Sequence, residues 1–247
     1  MSPLIAAVLL VFSAPGYPGS SADAQPMVDD FAAAAAAAAH WSAGSLTAVY
    51  DATEPGSLAK LSTPDAALAF MPWPFYVQHA AQLHLSALVE ADVSPVGTRQ
   101  RWTLVMKTGT VGAPGLTIAS TAGYAPQFVR SAVGTWPLPS NLTIAATAQV
   151  LSALRRAATG EPVAVLLDQE QAGALPGLPF AAALHAVTTS PPLPVALIAV
   201  VQERLPKART EALKAGLLKL AASPDGAAVL SKLRLNGFVP PDLPPPP

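Results

Sequence analysis

The chain has 247 residues, no cysteine and a net charge of −1, with 14 Lys and Arg residues against 15 Asp and Glu residues. The absence of cysteine excludes disulfides, thiolate metal sites and cysteine nucleophiles. With no basic excess, the chain lacks the electrostatic signature of nucleic-acid binding. Its length permits one large domain or two lobes of about 100–150 residues each. The four histidines show no metal-binding spacing, so we expect neither a metal site nor a cofactor.

The first apolar segment, Leu4–Ser13, has two interpretations. It is either the apolar part of a secretory signal, cleaved after Ala22–Ala24, or the buried first strand of a parallel sheet. A signal peptide normally begins with a positive charge, and no Lys or Arg precedes Lys60. Pro26 and the acids after it resemble the first turn of a helix. We therefore favour the strand.

The segment that follows has the βαβαβ pattern of a parallel α/β layer. Its predicted elements after the first strand are helix Pro26–His40, strand Ser45–Tyr50, helix Ser57–Leu61 and strand Asp65–Met71. Ligands of such sheets bind at the carboxyl ends of the strands. The polar and aromatic residues at these ends are Ser13, Tyr17, Ser20, Trp73 and Tyr76. Trp73 and Tyr76 lie in a proline-rich strand-end loop, where they form either a ligand-facing wall or ordinary packing.

A second α/β layer is predicted in the middle of the chain, followed by a helical C-terminal part. The predicted strands are Leu83–Ala91, Arg101–Lys107, Leu116–Ala119, Leu142–Ala146, Val163–Leu167, Leu184–Val187 and Val195–Gln202. The predicted helices are one reaching Val133, then Ala148–Ala158, Leu205–Leu220 and one that starts at Ser223 and ends at Asn236–Gly237. Asp168 follows a buried strand, so it is a further strand-end candidate.

The most informative stretch is the turn from Ser120 to Tyr124. A short apolar strand ends there in Ser-Thr-Ala-Gly-Tyr, and a helix is predicted to begin between Tyr124 and Gln127. Backbone N–H groups, two hydroxyls and the positive end of the helix dipole would meet at this point, which suits a small anion. The alternative is an ordinary βα turn with Ser120 or Thr121 as the helix N-cap.

Three segments in this order resemble the phosphate/phosphite/phosphonate-type solute-binding proteins of ABC importers. The first is Asp65–Tyr76, an apolar strand followed by proline and aromatic residues. The second is the turn that begins at Ser120, which resembles the family's Ser-Thr-Ser-Gly-Tyr ligand turn. The third is the C-terminal helix followed by Ser223-Pro224-Asp225-Gly226 and then Gly237-Phe238-Val239-Pro240.

The resemblance implies the α/β, two-lobed fold of a type II periplasmic binding protein. Each lobe would contain a mainly parallel sheet flanked by helices, and the ligand cleft would lie between the lobes. Lobe I would comprise residues 1–91 and 197–240, and lobe II would comprise residues 92–196. Residues 241–247 would form a disordered, proline-rich tail.

The function implied is that of a periplasmic, monomeric component of an ABC uptake system. It would bind a phosphonate- or phosphate-like anion, pass it to a membrane permease and have no catalytic residue. Ser120 and Thr121 match the family's anion-binding hydroxyls, whereas Ala122 replaces its second serine and removes one donor. Asp168 loosely matches the acids that hold the amine of amino-phosphonates. The candidate ligand residues are Ser13, Tyr17, Ser20, Trp73, Tyr76, Ser120, Thr121, Ala122, Gly123, Tyr124 and Asp168.

Two alternatives remain open from the sequence. The same binding module can serve a membrane receptor as a ligand sensor. An enzyme is suggested by Ser57-Leu58-Ala59-Lys60 and Lys107-Thr108-Gly109, which imitate the S-x-x-K and K-T-G motifs of serine β-lactamases and penicillin-binding proteins. Only 47 positions separate Lys60 from Lys107 (107 − 60) and no S-x-N lies between them, so we expect that the chain is not an enzyme.

Overall fold

The computed structural model describes residues 7–16, 20–110, 114–134, 136–139, 141–202 and 204–245. The chain forms two compact units. The first comprises Met1–Thr98 and Pro194–Pro244, and the second is built on Arg99–Leu193. The chain therefore enters the second unit after Thr98 and returns to the first unit at Pro194.

The helices and strands follow one another in three runs. The first run, in the first unit, is β1 Val8–Ser13, α1 Ser21–Ala38, β2 Leu46–Asp51, α2 Glu54–Leu61, β3 Ala66–Pro72, α3 Trp73–Leu83 and β4 Leu85–Val93. The next run is β5 Arg99–Gln100, β6 Thr103–Lys107, β7 Thr117–Ser120, α4 Pro126–Val133, β8 Thr143–Ala146, α5 Val150–Thr159, β9 Val163–Leu167, α6 Gln169–Ala174, β10 Leu184–Thr189 and β11 Leu193–Pro194. The chain ends with β12 Ala196–Val201, α7 Lys207–Lys219, α8 Pro224–Lys232 and β13 Leu235–Val239.

The sheet of the first unit has the strand order β13-β4-β12-β3-β1-β2. β1 runs parallel to β2 and β3, whereas β12 is antiparallel to β3 and β4, and β13 is antiparallel to β4. The core lies where α1 packs on this sheet. Phe31 of α1 is completely buried, and its ring centroid lies 5.4 Å from that of Phe12 and 6.0 Å from that of Phe238. The aromatic cluster thus joins β1, near the start of the chain, to β13, near its end.

The sheet of the second unit has the order β10-β6-β9-β7-β8. β7 is parallel to β8 and β9, whereas β6 runs antiparallel to β9 and β10. Both large sheets are therefore mixed, although the sequence predicted mainly parallel ones. The reason is that β6, β12 and β13 pair with strands that run in the opposite direction, which a pattern of alternating strands and helices does not reveal.

The start of the chain agrees with the strand interpretation. β1 pairs with β2 in register from Val8–Leu46 to Ser13–Asp51, which confirms a buried strand at residues 8–13. Residues 4–6 lie outside the described residues. The helix begins at Ser21, five residues earlier than predicted, because the Ser20 hydroxyl accepts a hydrogen bond from Asp23 N and caps it. Pro26 therefore lies inside α1.

Three predicted boundaries are wrong for physical reasons. Trp73 and Tyr76 lie in the first turn of α3, with Pro74 at a first-turn position, and so do not lie in a loop. The residue before α4 is Ala125, so neither Ser120 nor Thr121 is its N-cap. α8 ends at Lys232, and Asn236–Gly237 belongs to β13 because this segment pairs with β4.

Asp51, the last residue of β2, forms a partly buried ionic cluster with Thr53, the N-cap of α2, and with Lys60 in its last turn. Its Oδ1 accepts hydrogen bonds from Thr53 N at 2.8 Å and Thr53 Oγ1 at 2.7 Å, and its Oδ2 accepts one from Lys60 Nζ. Burial raises the pKa of the Asp51 carboxyl, but the hydrogen bonds from Lys60 and Thr53 outweigh it, so the pKa lies below its ordinary value of 3.8.

A lowered pKa in the folded state predicts an acid-dependent stability. The contribution of Asp51 is fully present above the ordinary carboxyl pKa and is lost as the pH falls through the lower folded-state value. In urea unfolding measured from pH 7 to pH 2, Asp51→Asn should lower the free energy of unfolding at pH 7. It should also make that free energy fall less steeply towards acid pH. Asp65→Asn, at an exposed position, is the control. If the free energy of unfolding of Asp51→Asn falls towards acid pH as steeply as that of the unmodified chain, this assignment is contradicted.

Candidate functional site

Ser120 ends β7 at the edge of the second sheet where β7, β8 and β9 present their carboxyl ends. The residue is fully buried. Its hydroxyl donates a hydrogen bond to Leu166 O at 2.9 Å and accepts one from Ala122 N at 3.1 Å. The Ser120 side chain therefore links β7 to β9 and also stabilises the turn through its bond from Ala122 N. Its only proton is already donated within the protein.

The turn after β7 packs directly against the end of β8. Gly123 N and Thr147 N both donate to Ser120 O, at 3.1 and 2.9 Å. A Cβ at Gly123 would lie 2.2 Å from Ala145 O and 2.5 Å from Ala146 N, much closer than any real Cβ contact. Glycine is required here because two backbone segments approach each other, and no positive φ is involved.

Thr121 is the hydroxyl that the turn leaves available. The residue is half-buried, and its side chain makes no hydrogen bond to any other residue that the structure describes. α4 begins five residues later, and the first N–H groups of a helix have no partner within the helix. Phe128 fixes this helix in place, because its ring packs edge-to-face on Trp102 with the centroids 5.0 Å apart. A hydroxyl and a helix N-terminus at one strand end are suited to a small anion.

Asp168 caps a helix of this unit. It is the N-cap of α6, a helix that the sequence did not predict. Its Oδ1 accepts from Gln171 N at 2.8 Å, and its own N–H donates to Gln171 Oε1 at 3.2 Å, which makes a complete capping box. Burial raises the pKa of Asp168 above its ordinary value. Its role towards a ligand stays a prediction.

The first unit contains a cavity of about 370 Å³ at the carboxyl end of β1, under the first half of α1. The residues that line it are mostly apolar, among them Phe12, Met27, Val28, Phe70, Leu233 and Leu235. Ser13, Ser20, Asp23 and Tyr50 are its polar residues. The described lining contains no Lys, Arg or His.

Ser13 is the unusual polar group of this cavity. The residue is 3% exposed, and its hydroxyl has no hydrogen-bond partner among the described residues. Ser20 is engaged differently: its hydroxyl donates to Asp23 Oδ2 at 2.6 Å while it caps α1. Burial, and next the charge of Asp51, raise the pKa of Tyr50 above its ordinary value of 10.0, so its hydroxyl stays protonated. The cavity therefore offers hydroxyls and one carboxylate.

A buried hydroxyl without a partner predicts a particular response to mutation. Ser13→Ala should leave the free energy of unfolding unchanged or raise it by up to about 1 kcal/mol, since no hydrogen bond is lost and a desolvated donor is removed. Ser190→Ala is the contrast, because that equally buried hydroxyl accepts from Trp102 N and donates to Pro191 O. It should cost about 1–3 kcal/mol. Urea unfolding measures both, and equal losses would show that Ser13 has a partner.

The other predicted residues of the first unit are placed as follows. Trp73 is 3% exposed and stacks on Tyr76, with the ring centroids 5.5 Å apart. The burial of Trp73 agrees with the packing alternative, whereas a ligand-facing role for Tyr76 stays a prediction. Burial raises the pKa of Tyr76, while a backbone hydrogen bond with Ala87 acts in the opposite direction. Tyr17 lies outside the described residues.

The hydrolase alternative finds no support in these positions. Ser57, the serine of the S-x-x-K motif, is completely buried on α2, and Lys60 is paired with Asp51. Thr108 of the K-T-G motif contacts His185 Nδ1 at 3.2 Å. Among the described residues, no three His, Asp or Glu side chains are grouped so that they could hold a metal ion. In the same part of the chain, no helix combines the length and the apolar character needed to cross a bilayer.

Comparison with known families favours the binding-protein interpretation. Residues 145–244 match the family model described as "ABC transporter, phosphonate, periplasmic substrate-binding protein". This part of the chain is therefore similar to the phosphonate substrate-binding family. The matched segment is less than half of the chain and extends from the end of β8 past β13. The resemblance predicted from the sequence is confirmed. No curated protein matches the chain by sequence.

Solved structures establish the fold over nearly the whole chain. XAC2383 from Xanthomonas citri, bound to chloride ion, has a TM-score of 0.70 at 15% identity and covers 95% of this chain and 92% of its own. A binding protein component of an ABC phosphonate transporter from Pseudomonas aeruginosa has a TM-score of 0.59 at 12% identity, covering 94% and 81%. PhnD1 from Prochlorococcus marinus, in complex with methylphosphonate, has a TM-score of 0.58 at 13% identity, covering 95% and 93%. The predicted type II periplasmic binding-protein fold is confirmed.

Sequence reasoning missed several residues that the fold brings together. Asp23, Met27 and Tyr50 line the cavity with Leu233 and Leu235, although α1 and the C-terminal residues are about 200 positions apart in the numbering. The one local signal was Tyr50, a polar aromatic residue at the end of a predicted strand. Contacts made across such a sequence separation leave no periodic pattern in the chain.

Proposed function

We propose that the chain is the solute-binding component of an ABC uptake system and that the turn after β7 binds a small phosphonate anion. Thr121 would donate its hydroxyl to a phosphonate oxygen, and the N-terminus of α4 would supply N–H groups and a favourable dipole. Ser120 is a positioning residue, since its hydroxyl is used by Leu166 and Ala122. The observation that carries the proposal is this strand–turn–helix geometry in a chain whose residues 145–244 match the phosphonate family.

The composition of the turn sets the expected strength of binding. No Lys or Arg lies between Ser120 and Gln127, so the charge would be met by hydrogen bonds alone. Hydrogen bonds to an ionised group are about twice as strong as those between neutral groups. Ala122 takes the place of a serine in the family's turn and supplies no hydroxyl. We therefore expect the turn to bind a phosphonate more weakly than a turn with a second serine hydroxyl would.

The family also supports the wider setting. Its members are periplasmic proteins that bind small ligands and work with an ABC permease, and we propose the same location and partner for this chain, acting as a monomer. A permease can respond to the ligand only if the bound state differs from the free state in its affinity for the permease. The placement of the ligand between two lobes, which the resemblance implies, stays a prediction. The sensor alternative has no separate observation in its favour.

The experiment is a calorimetric titration of the purified chain with methylphosphonate. Thr121→Val keeps the shape of the side chain and removes its hydroxyl. It should weaken binding by about 1–3 kcal/mol, the usual effect of losing a hydrogen bond to a charged group. Thr143→Val, at an exposed position of the neighbouring strand β8, is the matched control and should bind as the unmodified chain does. Unchanged affinity in Thr121→Val would refute the assignment of this hydroxyl.

A further inference from the structure

β8 forms an outer edge of the second unit's sheet, and its free side is not paired with any other strand that the structure describes. Thr143 N and Thr147 N donate to carbonyl oxygens of the chain segment that contains β7, at 3.0 and 2.9 Å. Because backbone groups alternate in direction along a strand, the N–H groups of Ile144 and Ala146 point away from β7. Neither of these N–H groups is bonded to another described residue. β8 therefore presents unpaired main-chain groups along its outer side.

The other edges of the two large sheets are protected in ways that β8 lacks. On β2, the Gln25 side chain of α1 donates to Ala48 O at 2.9 Å and accepts from Tyr50 N at 3.4 Å, so it covers the outward groups of that strand. β10 and β13 each contain a register shift, and such irregularities disturb the pairing of an edge. β8 pairs with β7 without a shift. No charged residue lies between Arg130 and Arg155, so β8 also lacks the charges that commonly protect an edge.

The two faces beside the β8 edge differ in polarity. A groove of about 230 Å³ lies between α5 and the sheet, and Ala145, Gln149 and Arg156 are among the residues that line it. Arg156 is exposed, and its Nε donates to Glu161 Oε2 at 2.7 Å, which leaves the terminal guanidinium N–H groups without a partner among the described residues. Ile144 points to the opposite face, since side chains alternate along a strand. One face therefore suits an acidic side chain and the other an apolar one.

We propose that the β8 edge binds an extended acidic segment of a partner protein by strand addition. The main chain of that segment pairs with Ile144 and Ala146, and side chains on alternate faces provide the specificity. Its acidic side chains lie beside Arg156, and its apolar side chains lie beside Ile144. Residues 99–193 carry six Lys and Arg residues and three Asp and Glu residues, a net charge of +3 that favours an acidic partner. The proposal does not rest on the anion site.

The test titrates the full chain with the acetylated and amidated peptide Glu-Val-Glu-Val-Glu-Val, followed by calorimetry. The same peptide with lysine in place of glutamate should bind at least about tenfold more weakly. An added strand pairs through every second N–H, so N-methylation of one alternate set of residues should abolish binding and N-methylation of the other set should be tolerated. The proposal is overturned if the glutamate peptide does not bind, if the lysine peptide binds as tightly, or if both methylated peptides behave alike.

Hydrogen exchange and one pair of variants locate the bound peptide. Amide exchange at Ile144 and Ala146 should slow by at least about tenfold on binding, because these N–H groups gain acceptors. Ile144→Pro removes an outward N–H, which an edge strand tolerates, whereas Ile144→Ala shortens the side chain and keeps the N–H. Ile144→Pro should bind at least about tenfold more weakly than Ile144→Ala. Equal binding by the two variants, or unchanged exchange at both amides, overturns the proposal.

Sedimentation of the chain without peptide tests a second copy as the occupant of the β8 edge. The proposal predicts a monomer at micromolar concentration for the unmodified chain and for both variants at position 144. A dimer that Ile144→Pro dissociates and Ile144→Ala preserves would assign this edge to a second copy of the chain. That result would overturn the assignment to an acidic partner.

Discussion

Gly123→Ala should both destabilise the second unit and abolish measurable binding of methylphosphonate. The added Cβ would lie 2.2 Å from Ala145 O and 2.3 Å from Ala145 C. These are backbone atoms of β8, which is held in the sheet by its pairing with β7, so they cannot rotate away as a side chain would. Either the turn or β8 must move. Overpacking of this kind costs about 1–3 kcal/mol or more, and it displaces Thr121 from its place at the strand end.

Gly173→Ala is the matched control for this prediction. Gly173 lies in α6 of the same unit, and nothing lies within 4 Å of the position that its Cβ would occupy. The substitution should leave binding unchanged and stabilise the helix slightly, by about 0.5–1 kcal/mol. Urea unfolding and calorimetry measure the two effects. If Gly123→Ala is as stable and binds as tightly as Gly173→Ala, the turn is not held against β8.

Phe31→Ala should cost about 3–5 kcal/mol in the free energy of unfolding, the usual range for a fully buried phenylalanine. The ring is completely buried, and its neighbours are Phe12 of β1 and Phe238 of β13 in edge-to-face contact. Removing it leaves a cavity in the centre of the aromatic cluster. The loss should appear in the unfolding transition of the first unit, to which all three residues belong.

Leu151→Ala provides the comparison for this core substitution. Leu151 is 43% exposed on α5, and its truncation should change stability by no more than about 0.5 kcal/mol. Urea unfolding followed by circular dichroism and by tryptophan fluorescence would separate the transitions of the two units if they unfold independently. A loss below about 1 kcal/mol in Phe31→Ala would show that α1 does not join the two ends of the chain.

The elements that the sequence predicted correctly are those with strong local signals. The apolar runs gave β1 and β9, and Ser-Pro-Asp gave the start of α8, where the Ser223 hydroxyl accepts from Gly226 N at 3.1 Å. α3 was missed because its prolines suggested a loop, although proline also favours the first turn of a helix. Asn236–Gly237 suggested a helix end, but pairing with β4 and a bond from Asn236 Nδ2 to Asp92 Oδ1 override the turn preference.

The sequence predicted the strand-end turn at Ser120, but it did not predict which side chains of the turn are already hydrogen-bonded within the protein. Ser120 and Thr121 were identified as a pair of anion-binding hydroxyls, yet the Ser120 hydroxyl is used by Leu166 O, which lies 46 positions further along the chain. Asp168 was identified from its strand end, and its capping role follows from Gln171 three residues later, a signal that the sequence did contain. The cavity depends on α1, the sheet and the C-terminal segment meeting, which no local pattern encodes.

The most direct test of the anion site proposed for the turn after β7 is a titration of the ¹⁵N-labelled chain with methylphosphonate. The amide chemical shifts are measured at each step of the titration. The proposed site predicts that the largest shifts fall on the turn from Thr121 to Tyr124 and on the first turn of α4, with saturation at a single affinity. Shifts concentrated on Ser13, Asp23 and Tyr50 would place the anion in the first unit and contradict the proposal. So would the absence of any shift at millimolar phosphonate.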